Sequence, residues 1–439
     1  MSGSKFIGDL AHIASINVLD GPAFGTGVIP DIVLCFFELM FAATAATSTR
    51  SFLAIDVHFP FSVITGAVAE RGRMWPMMVF IFVWCTLVYN PIARWIWSPN
   101  GWAYTLGTLD YAGGVPVHMT AGTSALVYCF MLGPRQPVTH AEQNRPHNIN
   151  NIFIGTLLSW FGWFGFNGGS GLVVSSRAVL TCVVTNLAAS TGGLTWCTLD
   201  YFLSKPRFKF TLFGFCMGSM AGLVCITPAS GYVGLPSSLV FGIGGSTCVY
   251  FGRKIKVFLK IDDAFDIFAQ HGVGGFVGCL LTGIFAQKSI PELDQTTISG
   301  GWLDRHWMQF VYQLALACKE HFSLFIREIY AHIFLAAGFV WSFSITLIIL
   351  LIMNRIPGLV LRTRTEGELD GTDFDEFNEF THDYISIQRD LYMVSPRSTP
   401  TDNIITVATV NNQNVVHKQN DIRMVQIKTV SNTDSAWER

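Results

Sequence analysis

Two histidines stand where an ionisable group is costly. His118, in DYAGGVPVHMTAG, and His271, in DDAFDIFAQHGVGG, each lie inside a long apolar stretch, and each follows an aspartate by eight residues, Asp110 and Asp263. Ionisable groups inside apolar spans mark ion paths, proton relays or ligand sites by default. A neutral imidazole donates from one ring nitrogen and accepts at the other, so two in contact would make a narrow polar thread through an oily pore. A lone histidine of this kind is more simply explained by a hydrogen bond to a backbone carbonyl between helices. The repeated Asp-to-His spacing favours a shared pair at the interface of a repeated unit, a common transporter plan. Bis-histidine haem ligation across two helices is the alternative chemistry, although nothing in the surrounding residues indicates a haem-sized cavity.

A cation moving toward such a thread meets a desolvation cost that is prohibitive for a bare charge in hydrocarbon. Aromatic faces offset part of it, by about 2 kcal/mol or more once desolvated. Candidates are Trp95 and Trp97 in IARWIW, and Phe164 and Phe166 in WFGWFGFNGGS. An interfacial aromatic belt is the bland explanation for Trp97. Other chemistries have no foothold: the chain contains no P-loop, no HExxH and no GxSxG. The Asp262-Asp263 pair precedes an apolar stretch, where acids favour a helix N-terminus. Ten cysteines are scattered without a CxxC, so they are small apolar residues and form neither a metal site nor a disulfide framework.

The elements that must hold these residues are membrane spans. Half of the 439 residues are hydrophobic and 13% are charged, whereas a soluble domain carries about a quarter charged residues. A span needs about 20 mostly apolar residues, and such stretches occur near 76–96, 115–133, 151–171, 178–203, 211–229, 235–252, 267–286 and 337–354. A ninth, near 30–67, is broken in its middle. AASTGG and GFCMGSMAG carry the small residues that let membrane helices approach closely, so an all-α polytopic bundle is expected.

Basic residues crowd alternate loops: Arg71 and Arg73; Arg135 and Arg145; Lys205, Arg207 and Lys209; Arg253, Lys254, Lys256 and Lys260; Arg355, Arg362 and Arg364. The intervening loops hold chiefly Arg177, Lys288 and Arg305. The positive-inside tendency then sets 1–29 outside and the C-terminal tail, 363–439, in the cytosol. The tail is polar, without apolar periodicity, and is expected to be largely disordered past Asp390. A net charge of −2 gives no reason to expect a nucleic-acid partner. No signal peptide is apparent in MSGSKFIGDLAHIAS.

The strings LDYAGGVPVHMTAG, FGWFGFNGGS, ITPASGYVG and DDAFDIFAQHGVGGFVGCLLTGIFA resemble the ammonium transporter/methylammonium permease family (Amt/Mep/Rh), as do AERGRM and GGWLDRHW. The wording is most similar to the fungal high-affinity permeases, and the likeness runs in order from about Phe6 to Arg364. The resemblance implies a plasma-membrane homotrimer with inverted-repeat subunits, each with its own pore for ammonium or ammonia, no cofactor and no enzymatic activity. It implies that Trp97, Ser170 and Phe41 recruit ammonium, and that Phe41 and Phe166 form a stacked gate. Trp163 would line the pore, His118 and His271 would be its twin histidines, and Asp110 would support the recruitment site without touching substrate. A Rh-type gas channel would share the histidines but not Trp97 and Ser170. An ammonium sensor signalling through the tail would keep every pore residue.

The chain also departs from the family pattern. Members begin with two further spans, so about nine are expected here instead of eleven. Ser48 to Ser62 and Lys319 to Ala336 have no counterpart, and they place Arg50, Asp56, His58, Pro60, Lys319, Glu320, Arg327 and Glu328 within spans. A charge at the bilayer centre costs roughly 2.5–3.5 kcal/mol, so the two stretches are read as retained introns, and a non-functional truncated product is the alternative. Glu38 stands where the family has Gln, and Arg94 lies one helical turn before Trp97; these two are expected to balance each other.

Overall fold

Where they are described, the expected apolar stretches become helix, because a backbone surrounded by hydrocarbon must satisfy its own donors and acceptors. The computed structural model describes Gly21 and residues 29–46, 63–135, 148–203, 209–314 and 334–377. The stretches 48–62 and 319–333, and the tail from 378, lie outside the described residues. The interrupted first span supplies α1 (Asp31–Ala46) and α2 (Val63–Val68). The next contains α3 (Met74–Trp84) and α4 (Asn90–Trp97), followed by the short α5 (Trp102–Leu106). Then come α6 (Thr120–Leu132), α7 (Ile149–Gly169), α8 (Ser176–Leu203), α9 (Leu212–Ile226), α10 (Leu235–Gly252) and the short α11 (Lys254–Leu259). The series closes with α12 (Gly274–Phe285), α13 (Met308–Leu314), α14 (Phe334–Met353), α15 (Thr365–Asp370) and α16 (Thr372–Phe377). A β-type bridge joins Gly72 and Arg362.

Among the described residues, four helical runs are long and apolar enough to cross a bilayer: Met74–Leu106, Gly114–Leu132, Ser176–Leu203 and Phe268–Phe285. Two shorter apolar helices, Leu212–Ile226 and Ala337–Met353, accompany them. The molecule is a helical, polytopic membrane protein.

Small residues set the packing, as AASTGG and GFCMGSMAG led one to expect. Helix α8 lies along α9 and α10. A side-chain carbon added at Gly192 would come within 2.4 Å of Gly218 O, and one at Gly222 within 2.2 Å of Ala188 O. Only hydrogen fits at these crossings. On the other side α6 packs against α2 and α14. There the buried Trp84 donates to Ser124 Oγ (2.8 Å), which lies 2.9 Å from Thr346 Oγ1, tying α3, α6 and α14 together through hydroxyls.

At one end of the bundle Arg71, Arg73, Arg135 and Arg362 tie neighbouring loops together. Arg135 grips Asp262 with Nε at 2.8 Å and Nη2 at 2.9 Å, its own backbone N–H adds a bond at 2.9 Å, and it also pairs with Glu70. The first residues of the expected tail join this end. Thr363 N donates to Arg71 O (3.0 Å), Arg362 Nη1 to Leu132 O (2.8 Å) and Arg73 Nε to Glu376 (3.2 Å), so α15 and α16 are held against the loops between spans.

Candidate functional site

Both histidines sit on wide, π-helical turns that lead into straight helices: Gly114–Met119 before α6, and Phe268–Val273 before α12. Such turns recur at functional positions, because one extra residue per turn re-aims the side chains around it. The aspartates eight residues upstream explain the repeated spacing. Asp110 accepts hydrogen bonds from the N–H groups of Gly113 (2.9 Å), Gly114 (2.7 Å) and Val115 (2.7 Å). Asp263 accepts from Phe268 N at 2.8 Å. Each carboxylate therefore caps the turn that carries its histidine, satisfying donors that a helix start leaves open.

The two turns cross at backbone contact. A carbon added at Gly122 would lie 2.2 Å from Gly272 N, and one at Gly275 would lie 2.6 Å from Gly114 O. This closeness brings His118 Nδ1 to 3.2 Å from His271 Nδ1, with the rings 0% and 2% exposed. The bonding around them assigns the protons. Thr227 Oγ1 donates to Leu223 O (2.8 Å) and accepts from Trp163 Nε1 (2.9 Å), so toward His118 Nε2, 3.3 Å away, it has only a lone pair to offer. His118 therefore carries its proton on Nε2 and presents a bare Nδ1, to which His271 Nδ1–H donates. The second ring nitrogen of His271 is then an acceptor.

A column of rings continues from His118 toward the far end of the bundle. His118 stacks on Phe166 at 6.1 Å and on Trp163 at 5.4 Å. Phe166 stacks on Phe41 at 4.0 Å and 13°, and Phe41 meets the edge of Trp97 at 5.9 Å. A cavity of about 320 Å³ runs beside this pair, lined by Phe37, Met40, Thr44 and Ser159 among others. Trp97 is held by its Nε1–H on Asp110 O (2.9 Å). Ser170, one turn after Phe166, donates to Phe166 O at 2.8 Å. The structure thus draws Phe41, Trp97, Trp163, Phe166, His118 and His271 into one column, with Asp110 beneath Trp97 and Ser170 following the Phe166 turn. Arg94, on the Trp97 helix, lies 3.3 Å from Ser98 Oγ. Among the described residues no cluster of His, Cys, Asp or Glu is arranged to hold a metal ion.

The Ammonium Transporter Family matches residues 2–382. The chain belongs to that family. Ammonium transporter 1 of Schizosaccharomyces pombe is 42% identical over 387 residues, spanning 87% of this chain and 70% of the relative. Ammonium transporter MEP2 of Saccharomyces cerevisiae is 40% identical, with 87% and 70% covered. The crystal structure of Candida albicans Mep2 superposes with a TM-score of 0.71 at 43% identity, covering 83% of this chain and 73% of that one.

Within this ammonium transporter fold, several residues that matter to the site were not singled out from sequence. Thr227 lies inside ITPASGYVG, and only its bonds to Trp163 and His118 reveal its place between them. Gln313 clamps the backbone of Leu109 from both sides, with Nε2 on its carbonyl (2.6 Å) and Oε1 taking its N–H (2.9 Å). Gln309 donates to Gly107 O at 2.9 Å. Together the two glutamines fix the loop that delivers Asp110. A hydroxyl ending an apolar span and two amides one helical turn apart were the available signals.

Proposed function

We propose that this chain conducts ammonium inward across the plasma membrane through a pore within each subunit of a homotrimer. The reading rests above all on the continuous column from Trp97 through Phe41 and Phe166 to the His118–His271 pair. Ammonium, or methylammonium, is recruited at Trp97, Ser170 and Phe41. There the indole face replaces part of the lost hydration and the hydroxyl accepts an N–H. The stacked Phe41 and Phe166 rings close the path below. An ammonium ion that gives up its proton above them continues as ammonia, which crosses without the cost of a buried charge. The coupled imidazoles offer ammonia alternating acceptors and donors and can hand the proton along the same line. Asp110 keeps Trp97 and the His118 turn in register. The loops rich in Arg and Lys face the cytosol, the N-terminal segment lies outside, and nine spans form an inverted repeat.

Uptake of labelled methylammonium by yeast cells lacking their own ammonium transporters tests this. The chain is expected to restore uptake, and His118→Ala and His271→Ala to alter it by at least tenfold at unchanged trimer content. Loss of the trimer in either variant would favour a packing role for the histidines. No uptake by the unaltered chain would leave an inactive product as the better reading.

A further inference from the structure

We propose that Arg177 is the positioning residue for ammonium recruitment, acting through Tyr111 on Trp97 and Ser170; the inference rests on the pore reading above. Arg177 lies in the first turn of α8 and is 5% exposed. Its Nε donates to Gly231 O (2.7 Å), and its Nη1 donates to both oxygens of Asp294 (3.2 and 3.0 Å) and to Thr296 Oγ1 (2.8 Å). The guanidinium carbon lies 4.9 Å from the Tyr111 ring centroid and 5.2 Å from that of Tyr232. One cation thus gathers the turn holding Asp110, the loop following Thr227 and the turn holding Asp294.

Tyr111 is the part that reaches the recruitment residues. It follows Asp110, whose carbonyl holds Trp97 Nε1, and its own N–H donates to Pro228 O at 3.0 Å. A carbon added at Gly171, next to Ser170, would lie 2.6 Å from Tyr111 Oη, and one at Gly231 would lie 2.2 Å from its ring. The ring is therefore wedged between the Ser170 turn and the segment that Arg177 grips. A shift of the guanidinium moves the tyrosine, and with it the carbonyl under Trp97 and the turn of Ser170. A planar fork that bonds in its plane and also meets two aromatic rings does this work, and an ammonium head on a flexible stem does not. Asp294 has a second effect: it balances a buried cation that would otherwise repel incoming ammonium. Both side chains of this pair are 6% exposed.

Two measurements on the full chain test this. In methylammonium uptake, Arg177→Lys and Asp294→Asn should each raise KM about tenfold and leave Vmax within twofold at equal membrane content. Unchanged KM, or a fall in Vmax alone, would overturn the proposal. The second readout does not need transport. In purified protein labelled with 5-fluorotryptophan, with the Trp97 line assigned from Trp97→Phe, Arg177→Lys should shift that line. The line of Trp196, near the other end of α8, should stay in place. A stationary Trp97 line in folded variant would also overturn the proposal. If Arg177→Lys is not recovered from membranes, Thr296→Val removes one partner without a charge and must shift the same line. Absence of uptake by the unaltered chain would sink the pore reading, while the Trp97 line would still decide the role of Arg177.

Discussion

Thr227 is the residue on which the proton arrangement of the pore depends. Its single proton is spent on Leu223 O, so its oxygen must serve both Trp163 and His118 as acceptor. Thr227→Val keeps shape and volume but leaves two buried donors unpaired, which costs about 1–3 kcal/mol each. Uptake should fall roughly tenfold or more, whereas Thr227→Ser should retain most of it; equal rates for both variants would show that the hydroxyl is not needed. The histidines and the Phe166 ring were legible in the sequence because each stands at a fixed place in a long motif, Trp97 was legible as an aromatic in IARWIW, and Phe41 only through the family resemblance. Thr227 was legible only as part of such a motif. Its partners Trp163 and His118 come from helices 64 and 109 residues away, and no local spacing announces that meeting.

At the scale of elements, the meeting of the two wide turns is what makes a histidine pair possible. Gly122 allows it: a methyl group there would press on the backbone of Gly272 at 2.2 Å, and backbone cannot swing aside as a side chain can. Gly122→Ala should cost about 1–3 kcal/mol through overpacking. It should lower the melting temperature in detergent by several degrees and abolish most uptake by parting His118 from His271. A variant with full stability and full uptake would mean that the crossing has slack. Among the described residues, the apolar helices at Gly114–Leu132, Ser176–Leu203, Leu212–Ile226, Phe268–Phe285 and Ala337–Met353 lie within a few residues of where apolar length alone puts them. The wide turns at 85–89, 114–119 and 268–273 were not legible, since five or six residues are too few for a hydrophobic pattern to separate 3.6 residues per turn from a wider one. The clamp of Gln313 on Leu109 escaped for another reason, as its partners are 204 residues apart.

At the scale of the whole molecule, each end of the bundle is fastened by a carboxylate and an arginine. Burial pushes the Asp294 carboxyl up, but hydrogen bonds from Thr296 and Arg177 more than reverse this and hold it below its usual range. Asp262 is also raised by burial and then carried lower by the grip of Arg135. A carboxylate with a depressed folded-state pKa contributes its stability above the unfolded value, about 3.9, and loses it as pH falls through the folded value. Thermal stability should therefore be insensitive to these two groups from neutral pH down to about pH 5, and should decline below about pH 4. Asp294→Asn and Asp262→Asn should flatten that acid limb, and an unchanged limb in both would place the acid sensitivity elsewhere.

The clasp of α15 and α16 on the loops around Arg71, Arg73 and Leu132 bears on how the chain can be cut and joined. A truncation before residue 363 takes away a piece of the folded body as well as a tail, so any loss of uptake that follows says nothing about signalling. A cut after Phe377 spares the clasp. Fluorescent fusions, epitope tags and deletion series meant to separate a sensing tail from a transporting body belong beyond that point.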